Sequence, residues 1–467
     1  MENLDQRSAT LALTEPARPS CAVIGAGWSG LAAAHRLALA GKQVTLYEAS
    51  PHAGGRARQA SLNLAGKKLT LDNGQHMLIG GYSRTLALID QLRQSVATSE
   101  TETTSASPSP VPLIRLPLQF QSDQINLRRK GPGQLGLLMG ILTAGGLSLK
   151  ARLGIVSMSV RLRAANWQAL PNESVAQLLA RLSQSSSVIR LFWEPLCIAA
   201  LNTPISKAGA QTFVNVLHDS LFLSAHSSDF LIPKTDLGSL LPDPMLAALK
   251  ALGVSIRVAT PVKQLRQGDA GRWIVIDRAH QASFDTVVLA TPPRQTAELI
   301  EPAAPAVATE LQKFEYEAIQ TVYLAWPLAQ APDIKPMQLL KQDDESECHG
   351  QWLFARESQA GLALGSVVIS APSFSESVTN EVLAKRVSRQ LETQLGLPAA
   401  IDAKTVHEKR ATFSCTPTRP IADYMSVNEQ TLPPGLVLGG DYCWHRYPAT
   451  LESAVRSGEA AANALLT

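Results

Sequence analysis

The stretch that decides the fold runs from Cys21 to Gln59 and reads CAVIGAGWSGLAAAHRLALAGKQVTLYEASPHAGGRARQ. Its first four residues are apolar, which is typical of a strand buried on both faces. A glycine-rich turn and an Ala/Leu-rich helix follow, and a second strand then ends at Glu48. A strand, turn, helix and strand in this order, with an acid about twenty residues after the turn, are typical of a dinucleotide-binding unit. The stretch therefore predicts an α/β fold built on a parallel sheet.

Each glycine of the turn has its own purpose in this pattern. Gly25 allows the tight turn, Gly27 lets the backbone approach a pyrophosphate, and Gly30 lets the helix pack closely on the strand. The helix N-terminus offers N–H groups and the positive end of the helix dipole to the diphosphate. Glu48 can accept hydrogen bonds from ribose hydroxyls and would repel a 2′-phosphate. The turn therefore predicts a bound dinucleotide.

Composition excludes several functional classes. With 467 residues the chain exceeds one ordinary domain, so we expect two interleaved domains. The net charge of +3 is too small to indicate a nucleic-acid partner. The five cysteines show no metal-ligand spacing, and their odd, scattered set suits a reducing compartment such as the cytoplasm. No stretch approaches the roughly eighteen unbroken apolar residues of a membrane span, and the first twenty residues lack the apolar core of a secretory signal.

Four further motifs resemble one flavoenzyme superfamily. A GGR segment, Gly54 to Arg56, follows Glu48, and an Asp-x-Gly turn at Asp72 to Gly74 comes next. Later the chain has a strand that ends in the corner Ala290 to Pro292. A last strand ends in Gly440-Asp441, and a helix begins shortly after it. Together these motifs resemble the flavin amine oxidase and carotenoid desaturase superfamily.

This resemblance implies FAD as the cofactor. It places the backbone of Val262 at the adenine, Arg56 against the cofactor and Asp441 at the diphosphate and ribityl region. The last helix would point its N-terminus at the flavin pyrimidine and stabilise the negative charge of reduced flavin. The residues predicted to bind FAD are Gly25, Gly27, Trp28, Ser29, Gly30, Glu48, Gly55, Arg56, Asp72, Gly74, Val262, Gly440, Asp441, Thr450 and Leu451.

Four longer strings resemble one branch of that superfamily. They are DNGQHMLIGGY (72–82), FWEPLCIAALNTP (192–204), KRATFSCTP (409–417) and GGDYCWHRYPATLESAVRSG (439–458). These strings resemble the squalene-associated FAD enzymes of bacterial hopanoid synthesis, the hydroxysqualene dehydroxylases, which are relatives of phytoene desaturases. The resemblance implies reduction of hydroxysqualene to squalene by reduced flavin, with an apolar isoprenoid and an electron donor for the flavin as partners. The alternatives are an isoprenoid desaturase, an amine oxidase, and a non-catalytic isoprenoid carrier.

Removal of an allylic-type hydroxyl needs an acid or hydrogen-bond donor on the leaving oxygen. The candidate donors are His76, Glu194, Tyr442 and Tyr447, among which the sequence does not choose. His76 could instead be a hydrogen-bonded buried histidine. Glu194 lies in an apolar run, where a carboxyl must be paired or protonated, and it could instead cap the next helical turn.

The segment from Leu135 to Val160 is strongly apolar, and basic residues flank it. Two interpretations remain open for it. It could lie on the surface of an anionic bilayer as a monotopic anchor, which would place the protein on the inner face of the cytoplasmic membrane. It could equally form two core helices that line an apolar cavity. Both interpretations predict an apolar substrate.

The predicted fold class is α/β, with a Rossmann-type FAD-binding domain interleaved with an α+β substrate-binding domain. The predicted boundaries are 1–19 for a disordered lead-in, 20–94, 235–300 and 409–467 for the FAD-binding domain, 113–234 and 301–408 for the substrate domain, and 95–112 for a flexible insertion. The insertion is predicted from its Ser, Thr and Pro content, since it has almost nothing to bury.

Overall fold

The computed structural model describes residues 19–100, 112–343, 345–372 and 378–467. Its helices are α1 (Trp28–Leu39), α2 (Ser83–Glu100), α3 (Gly133–Leu142), α4 (Leu149–Ala164), α5 (Val175–Arg181), α6 (Ser186–Val188), α7 (Glu194–Leu201), α8 (Ala210–Phe222), α9 (Leu237–Leu240), α10 (Pro242–Ala251), α11 (Pro293–Ile300), α12 (Pro305–Gln312), α13 (Asn380–Leu395) and α14 (Leu451–Ala464). Its strands are β1 (Ser20–Ile24), β2 (Gln43–Tyr47), β3 (Gln59–Leu64), β4 (Lys67–Asp72), β5 (Leu78–Ile79), β6 (Leu113–Leu116), β7 (Gln119–Gln121), β8 (Asn126–Arg128), β9 (Phe230–Pro233), β10 (Ser255–Arg257), β11 (Gln264–Gln267), β12 (Trp273–Ile276), β13 (Gln281–Phe284), β14 (Thr286–Leu289), β15 (Tyr316–Pro327), β16 (Met337–Leu339), β17 (Trp352–Gln359), β18 (Leu362–Ser370), β19 (Asp402–Phe413), β20 (Ser426–Val427), β21 (Gln430–Thr431) and β22 (Leu436–Leu438).

Five parallel strands form the sheet that carries the glycine-rich turn, in the order β10-β2-β1-β14-β22. Successive residues of β1 are buried on alternate faces of this sheet, which explains why the strand is apolar throughout. Helices α1, α10 and α14 cover one face. The antiparallel sheet β11-β12-β13 covers the other, where Phe284 meets Tyr47 edge-on. The predicted α/β class is confirmed.

The five strands come from three separate parts of the chain, so the sheet is assembled across long sequence distances. β1 and β2 precede residue 50, β10 and β14 lie between residues 255 and 289, and β22 begins at Leu436. The pairing of Cys21 with both Val44 and Thr286 shows how the parts meet. The interleaving predicted from the motifs is present in the fold.

A second sheet is antiparallel and has the order β16-β17-β18-β15-β19. Its central strand β18 is buried along its whole length. Helix α13 packs against one face through Leu383, Val387 and Leu391. The helices α3 to α8 pack in the core that also contains residues of β7, β8 and β16 and that continues to one face of the parallel sheet at Ile24 and Tyr47. These elements form the α+β part of the molecule.

Helix α2 corrects one predicted boundary. It continues to Glu100, whereas the sequence predicts a loop from residue 95 onward. The start of α2 is fixed, because the backbone N–H groups of Arg84 and Thr85 donate to Glu452 at 3.1 and 2.9 Å. Once a helix is nucleated, each further residue adds a hydrogen bond at low cost, even in a polar sequence. The rest of the predicted insertion, 101–111, and residues 1–18 of the predicted lead-in lie outside the described residues.

The apolar segment from Leu135 to Val160 forms α3 and α4, joined by a short turn. Leu137, Ile141 and Ile155 of these helices are buried. Among the described residues, no helix has the length and apolar character needed to cross a bilayer.

Candidate active site

A cavity of ≈ 740 Å³ lies at the carboxyl ends of the parallel strands. Ile24, Tyr47, Ala290 and Gly440, which end or follow four of these strands, all line it. Ligands of open α/β sheets bind at this edge, and the volume falls within the range of about 300–1,000 Å³ found for ligand sites. This cavity is therefore the candidate cofactor site.

The glycine-rich turn leaves space at one position and none at another. A Cβ on Gly27 would meet no described heavy atom nearer than the Cα of Gly55, 3.9 Å away. A Cβ on Gly30 would lie 1.8 Å from the carbonyl oxygen of Gly25. Gly27 thus leaves an open cradle beside the cavity, while Gly30 allows α1 to touch the turn, as predicted for each.

The N-terminus of α1 opens beside this cradle. No side chain of the described residues caps its first turn, so its N–H groups remain available to an anionic ligand. Trp28 and Ser29 line the cavity, but their polar side-chain atoms bond within the protein. The Trp28 indole N–H donates to the carbonyl oxygen of Ala57 at 3.0 Å, and the Ser29 hydroxyl lies 3.2 Å from that of Ser457. A phosphate would therefore contact the backbone here.

Glu48 and Val262 both lie in the wall of the cavity. The two carboxylate oxygens of Glu48 accept hydrogen bonds from the backbone N–H groups of Ala26 and Ser50, each at 2.8 Å. These bonds fix the carboxylate beside the turn while leaving further lone pairs for ribose hydroxyls. The structure thus brings Glu48 and Val262 together with the glycine-rich turn.

Arg56 and Asp441 meet along the same cavity. The Arg56 guanidinium donates to Asp441 at 2.6 Å and to the carbonyl oxygen of Ala411 at 2.7 Å. Asp441 is buried in a short 3-10 turn directly after Gly440, and Gly55 and Arg56 also line the cavity. This ion pair joins the GGR segment to the last predicted cofactor motif.

The first turn of α14 also faces the cavity. Thr450 caps this helix by accepting a hydrogen bond from the Ser453 backbone N–H at 3.1 Å. Thr450 and Leu451, which the sequence predicts to bind FAD, line the cavity. The positive end of the α14 dipole therefore points at this region.

Asp72 does not lie in the cavity wall, and this corrects its predicted role in binding FAD. Its carboxylate accepts from the Leu237 backbone N–H at 2.7 Å and pairs with Arg356 at 3.1 Å. Both side chains of this pair are almost fully buried. Gly74, two residues later, does line the cavity. Asp72 thus holds the turn in place through an internal ion pair, because β4 and β17 bring the two charges together.

His76 lines the cavity, but its geometry disfavours the predicted role of proton donor. Its Nδ1 lies 2.7 Å from the carbonyl oxygen of Gly74. A carbonyl oxygen only accepts, so Nδ1 carries the hydrogen and Nε2 of the neutral ring is an acceptor. Burial lowers the pKa of His76, which favours this neutral ring. His76 is therefore a hydrogen-bond acceptor toward a ligand.

A second, apolar cavity of ≈ 140 Å³ adjoins the first. Its walls come from α3, α4, α7 and α8, from the residues just before α7 and from β7, and include Phe120, Leu137, Ile141, Ile155, Phe192, Trp193 and Leu217. The residues that line both cavities are Met77, Tyr82, Ala199, Ala200, Trp352 and Thr450. The two cavities therefore meet, and an apolar molecule in the smaller one would reach the larger one.

Tyr82, which the sequence analysis missed as a site residue, stands where the two cavities meet. Burial raises the pKa of its phenol, and the charge of Glu452 raises it further. The phenol therefore stays protonated at neutral pH and can donate a hydrogen bond. The feature of the sequence that could have indicated Tyr82 as a site residue is its position at the end of the string DNGQHMLIGGY.

Tyr447 lines the apolar cavity as part of a polar cluster around Asp219. The Tyr447 hydroxyl donates to Asp219, and Arg446 donates two hydrogen bonds to it at 2.9 and 3.0 Å. His218 is the fourth member, with Nδ1 2.5 Å from Asp219. Burial alone would raise the pKa of Asp219, but these hydrogen bonds outweigh it and hold the pKa below its usual range. Burial and the neighbouring carboxylate raise the pKa of Tyr447 to about 12, so its phenol keeps its proton.

Glu194 and Tyr442 lie outside both cavities. Glu194 begins α7, and partial burial raises its pKa. Tyr442 is buried, and its hydroxyl lies 3.2 Å from that of Thr296. The structure therefore does not bring these two predicted donors to the site.

Several known proteins are similar to this chain over nearly its whole length. The family model described as flavin containing amine oxidoreductase matches residues 28–466. The hydroxysqualene dehydroxylase of Zymomonas mobilis is 27% identical over 456 residues, which cover 95% of this chain and 98% of that protein. That of Rhodopseudomonas palustris is 28% identical over 457 residues, with coverage of 95% and 97%. The solved structure of cyclohexylamine oxidase from Brevibacterium oxydans has a TM-score of 0.65 at 16% identity, covers 96% of this chain and 98% of its own, and shows the shared fold.

Proposed function

The chain belongs to the family of flavin containing amine oxidoreductases, and from this premise we propose that it removes the hydroxyl of hydroxysqualene by reduction, with FAD as its cofactor. The observation that carries the proposal is the apolar cavity that adjoins the cofactor cavity, with Tyr82 in both walls. Relatives of nearly the same length, named hydroxysqualene dehydroxylases, support the choice of substrate.

The residues around the cofactor cavity support FAD rather than a smaller flavin. The glycine-rich turn, Glu48 and Val262 line the same cavity as Asp441 and Thr450. A flavin mononucleotide has no adenosine to contact Glu48. An adenosine there would meet the carboxylate that suits its ribose, and the diphosphate would lie at the open cradle of Gly27.

The chain's own residues would serve the leaving group. Reduced flavin, when bound, supplies a hydride to the substrate carbon. Tyr82 would donate its proton to the hydroxyl oxygen as the carbon–oxygen bond breaks, which releases water, and a proton from solvent would restore the phenol after the product has left. The cluster of Asp219 and Tyr447 would hold the substrate hydroxyl before that step. The aromatic and aliphatic walls would exclude water that could trap the substrate cation.

The sizes of the cavities bear on how a long isoprenoid would fit. The apolar cavity, at ≈ 140 Å³, is smaller than the range of about 300–1,000 Å³ for complete ligand sites. A long substrate would therefore occupy parts of both cavities, with its reacting carbon where they meet. The residues shared by both walls mark this position.

Product analysis tests the proposal. The purified protein, kept reduced and free of oxygen, is incubated with hydroxysqualene, and the extracted lipids are analysed by mass spectrometry. We expect squalene in amounts that grow with enzyme and require bound flavin. Oxidised protein that instead introduces double bonds into a more saturated isoprenoid would replace the proposal with a desaturase.

A further inference from the structure

Helices α3 and α4 expose apolar side chains on the face opposite the cavity. The side chains on this outer face are between 49% and 78% exposed: Leu135, Met139, Leu149, Leu153 and Val160. The first two are four residues apart in α3, and the other three follow one side of α4 at helical spacing. We call these five residues the outer patch. Both helices are therefore apolar on two sides, and only the inner side is explained by the core.

The charge around the outer patch has one sign. No acidic residue occurs between Asp123 and Glu173, a span that holds seven basic residues: Arg128, Arg129, Lys130, Lys150, Arg152, Arg161 and Arg163. The whole chain has a net charge of +3, so the remainder carries 3 − 7 = −4. The basic charge of this protein is therefore concentrated around α3 and α4.

Two of the seven cations are used inside the fold. Arg129 pairs with the buried Asp229, and Arg152 donates to the carbonyl oxygens of Leu147 and Leu142 at 3.0 and 2.9 Å. The other five are exposed and form no ion pair with any described residue: Arg128, Lys130, Lys150, Arg161 and Arg163. Five cations around an apolar face are thus available to an external anionic partner.

Helix stability accounts for only part of this placement. Arg161 and Arg163 lie in the last turn of α4, where the helix dipole favours cations. Lys150, however, lies in the first turn, where the dipole disfavours a cation, and no acid of that turn compensates for it. An anion outside the protein would remove this unfavourable interaction.

We infer that the outer patch docks on an anionic lipid bilayer, with α3 and α4 lying in the interface and the five exposed cations on lipid headgroups. The exposed apolar side chains suit the acyl boundary of such a bilayer. The basic residues around them suit its anionic headgroups. The same helices roof the apolar cavity through Leu137, Ile141 and Ile155, so a lipid-soluble molecule in the bilayer would lie one helix layer from the site. The docking surface itself does not depend on the proposed substrate.

Vesicle sedimentation with the flavin-bound, full-length protein tests this inference. One set of vesicles is pure phosphatidylcholine, and the other contains phosphatidylglycerol as well. Binding to the anionic set should be at least about tenfold stronger and should weaken as salt rises, because salt screens the cations. Absence of binding to either set, or equal binding to both at every salt concentration, would overturn the inference.

Two variants and a control separate docking from folding. Leu135→Glu with Leu153→Glu should lower vesicle binding at least about tenfold while the visible flavin spectrum remains, since neither side chain lines a cavity. Lys130→Glu with Lys150→Glu should abolish the preference for anionic vesicles. Ile421→Glu, at a side chain 61% exposed on another part of the surface, is the matched control and should bind as the unaltered protein does.

The main competing occupant is a second copy of the chain. Sedimentation velocity without lipid distinguishes it. A dimer that Leu135→Glu with Leu153→Glu converts to a monomer, together with unchanged vesicle binding, would show that the outer patch joins two copies and would refute lipid docking.

Discussion

The cofactor cavity and the apolar cavity touch each other, yet they are built on different principles. The wall of the cofactor cavity includes glycines at the ends of the parallel strands, Gly27 among them, and the N-termini of α1 and α14, where a ligand would meet backbone. The apolar cavity is made by side chains of helices, with Asp219 and Tyr447 as a polar cluster among aromatic and aliphatic groups. A site built from backbone depends on the absence of side chains, whereas a site built from side chains depends on their chemistry. Substitutions in the two regions should therefore fail in different ways.

Gly27→Val should have the largest effect, because it tests whether the cofactor cavity depends on the absence of a side chain. The new side chain would occupy the cradle beside α1, where the nearest described heavy atom is 3.9 Å from its Cβ. The protein should therefore fold but purify without flavin, as measured by its visible absorbance and its melting temperature. Gly145→Ala, whose Cβ would make ordinary contact 3.5 Å from that of Asn126, is the control and should retain flavin. Stoichiometric flavin in Gly27→Val would show that the cofactor lies elsewhere.

Asp72→Asn tests whether Asp72 stabilises the fold rather than binding the cofactor. It would leave Arg356 buried without its anionic partner, so the free energy of unfolding in urea should fall by about 3 kcal/mol. Flavin should remain bound, because Asp72 lies outside the cavity. Glu347→Gln, whose exposed side chain pairs with Arg386 away from both cavities, is the control and should change stability by less than about 0.5 kcal/mol. Loss of flavin from a stable Asp72→Asn protein would restore the predicted cofactor role.

Tyr82→Phe tests whether the region of the apolar cavity depends on the chemistry of a side chain. Without its hydroxyl, the reductive step should slow by roughly a hundredfold, the usual range for a lost general acid, while flavin stays bound. Single-turnover measurement with photoreduced protein reports this step. Tyr442→Phe is the matched control, since that hydroxyl lies outside both cavities, and its rate should not change. Equal rates in Tyr82→Phe and the control would move the donor to another group, with Tyr447 next to be tested.

The smallest effect concerns the titration of His76. Burial lowers its pKa, so its midpoint should fall below 6.5 in the folded protein. In that direction the folded state binds the proton less readily than the unfolded one. Above pH 6.5 His76 is neutral in both states and leaves the free energy of unfolding unchanged. As the pH falls below 6.5, the unfolded state takes up the proton first, so His76 lowers the free energy of unfolding. Histidine NMR, with His76→Gln to assign the signal, measures the midpoint, and a value above 6.5 would make His76 a proton donor again.

The residues tested above differ in how far the sequence predicts their purpose. Gly27, Gly30 and Glu48 are recognisable because their purpose depends on spacing within one strand–helix–strand unit. Asp72 occupies the expected motif, but its partner Arg356 is 284 residues away, so the sequence could not show that its charge is already paired.

The apolar site was harder to predict for the same reason. Tyr447 and Asp219 meet only after α8 and the segment before α14 approach each other across 228 residues. The apolar character of α3 and α4 predicted a cavity or a membrane surface as alternatives. The structure shows that one side of these helices lines a cavity while the other side is exposed.

The most direct test of the joined cavities follows the flavin itself. Photoreduced protein is mixed anaerobically with hydroxysqualene, and flavin absorbance is recorded over time. If the substrate reaches the flavin through the apolar cavity and loses its hydroxyl there, the absorbance of oxidised flavin returns as an equal amount of squalene forms. Flavin that stays reduced in the presence of hydroxysqualene, while the oxidised protein is bleached by a more saturated isoprenoid, would contradict reductive dehydroxylation.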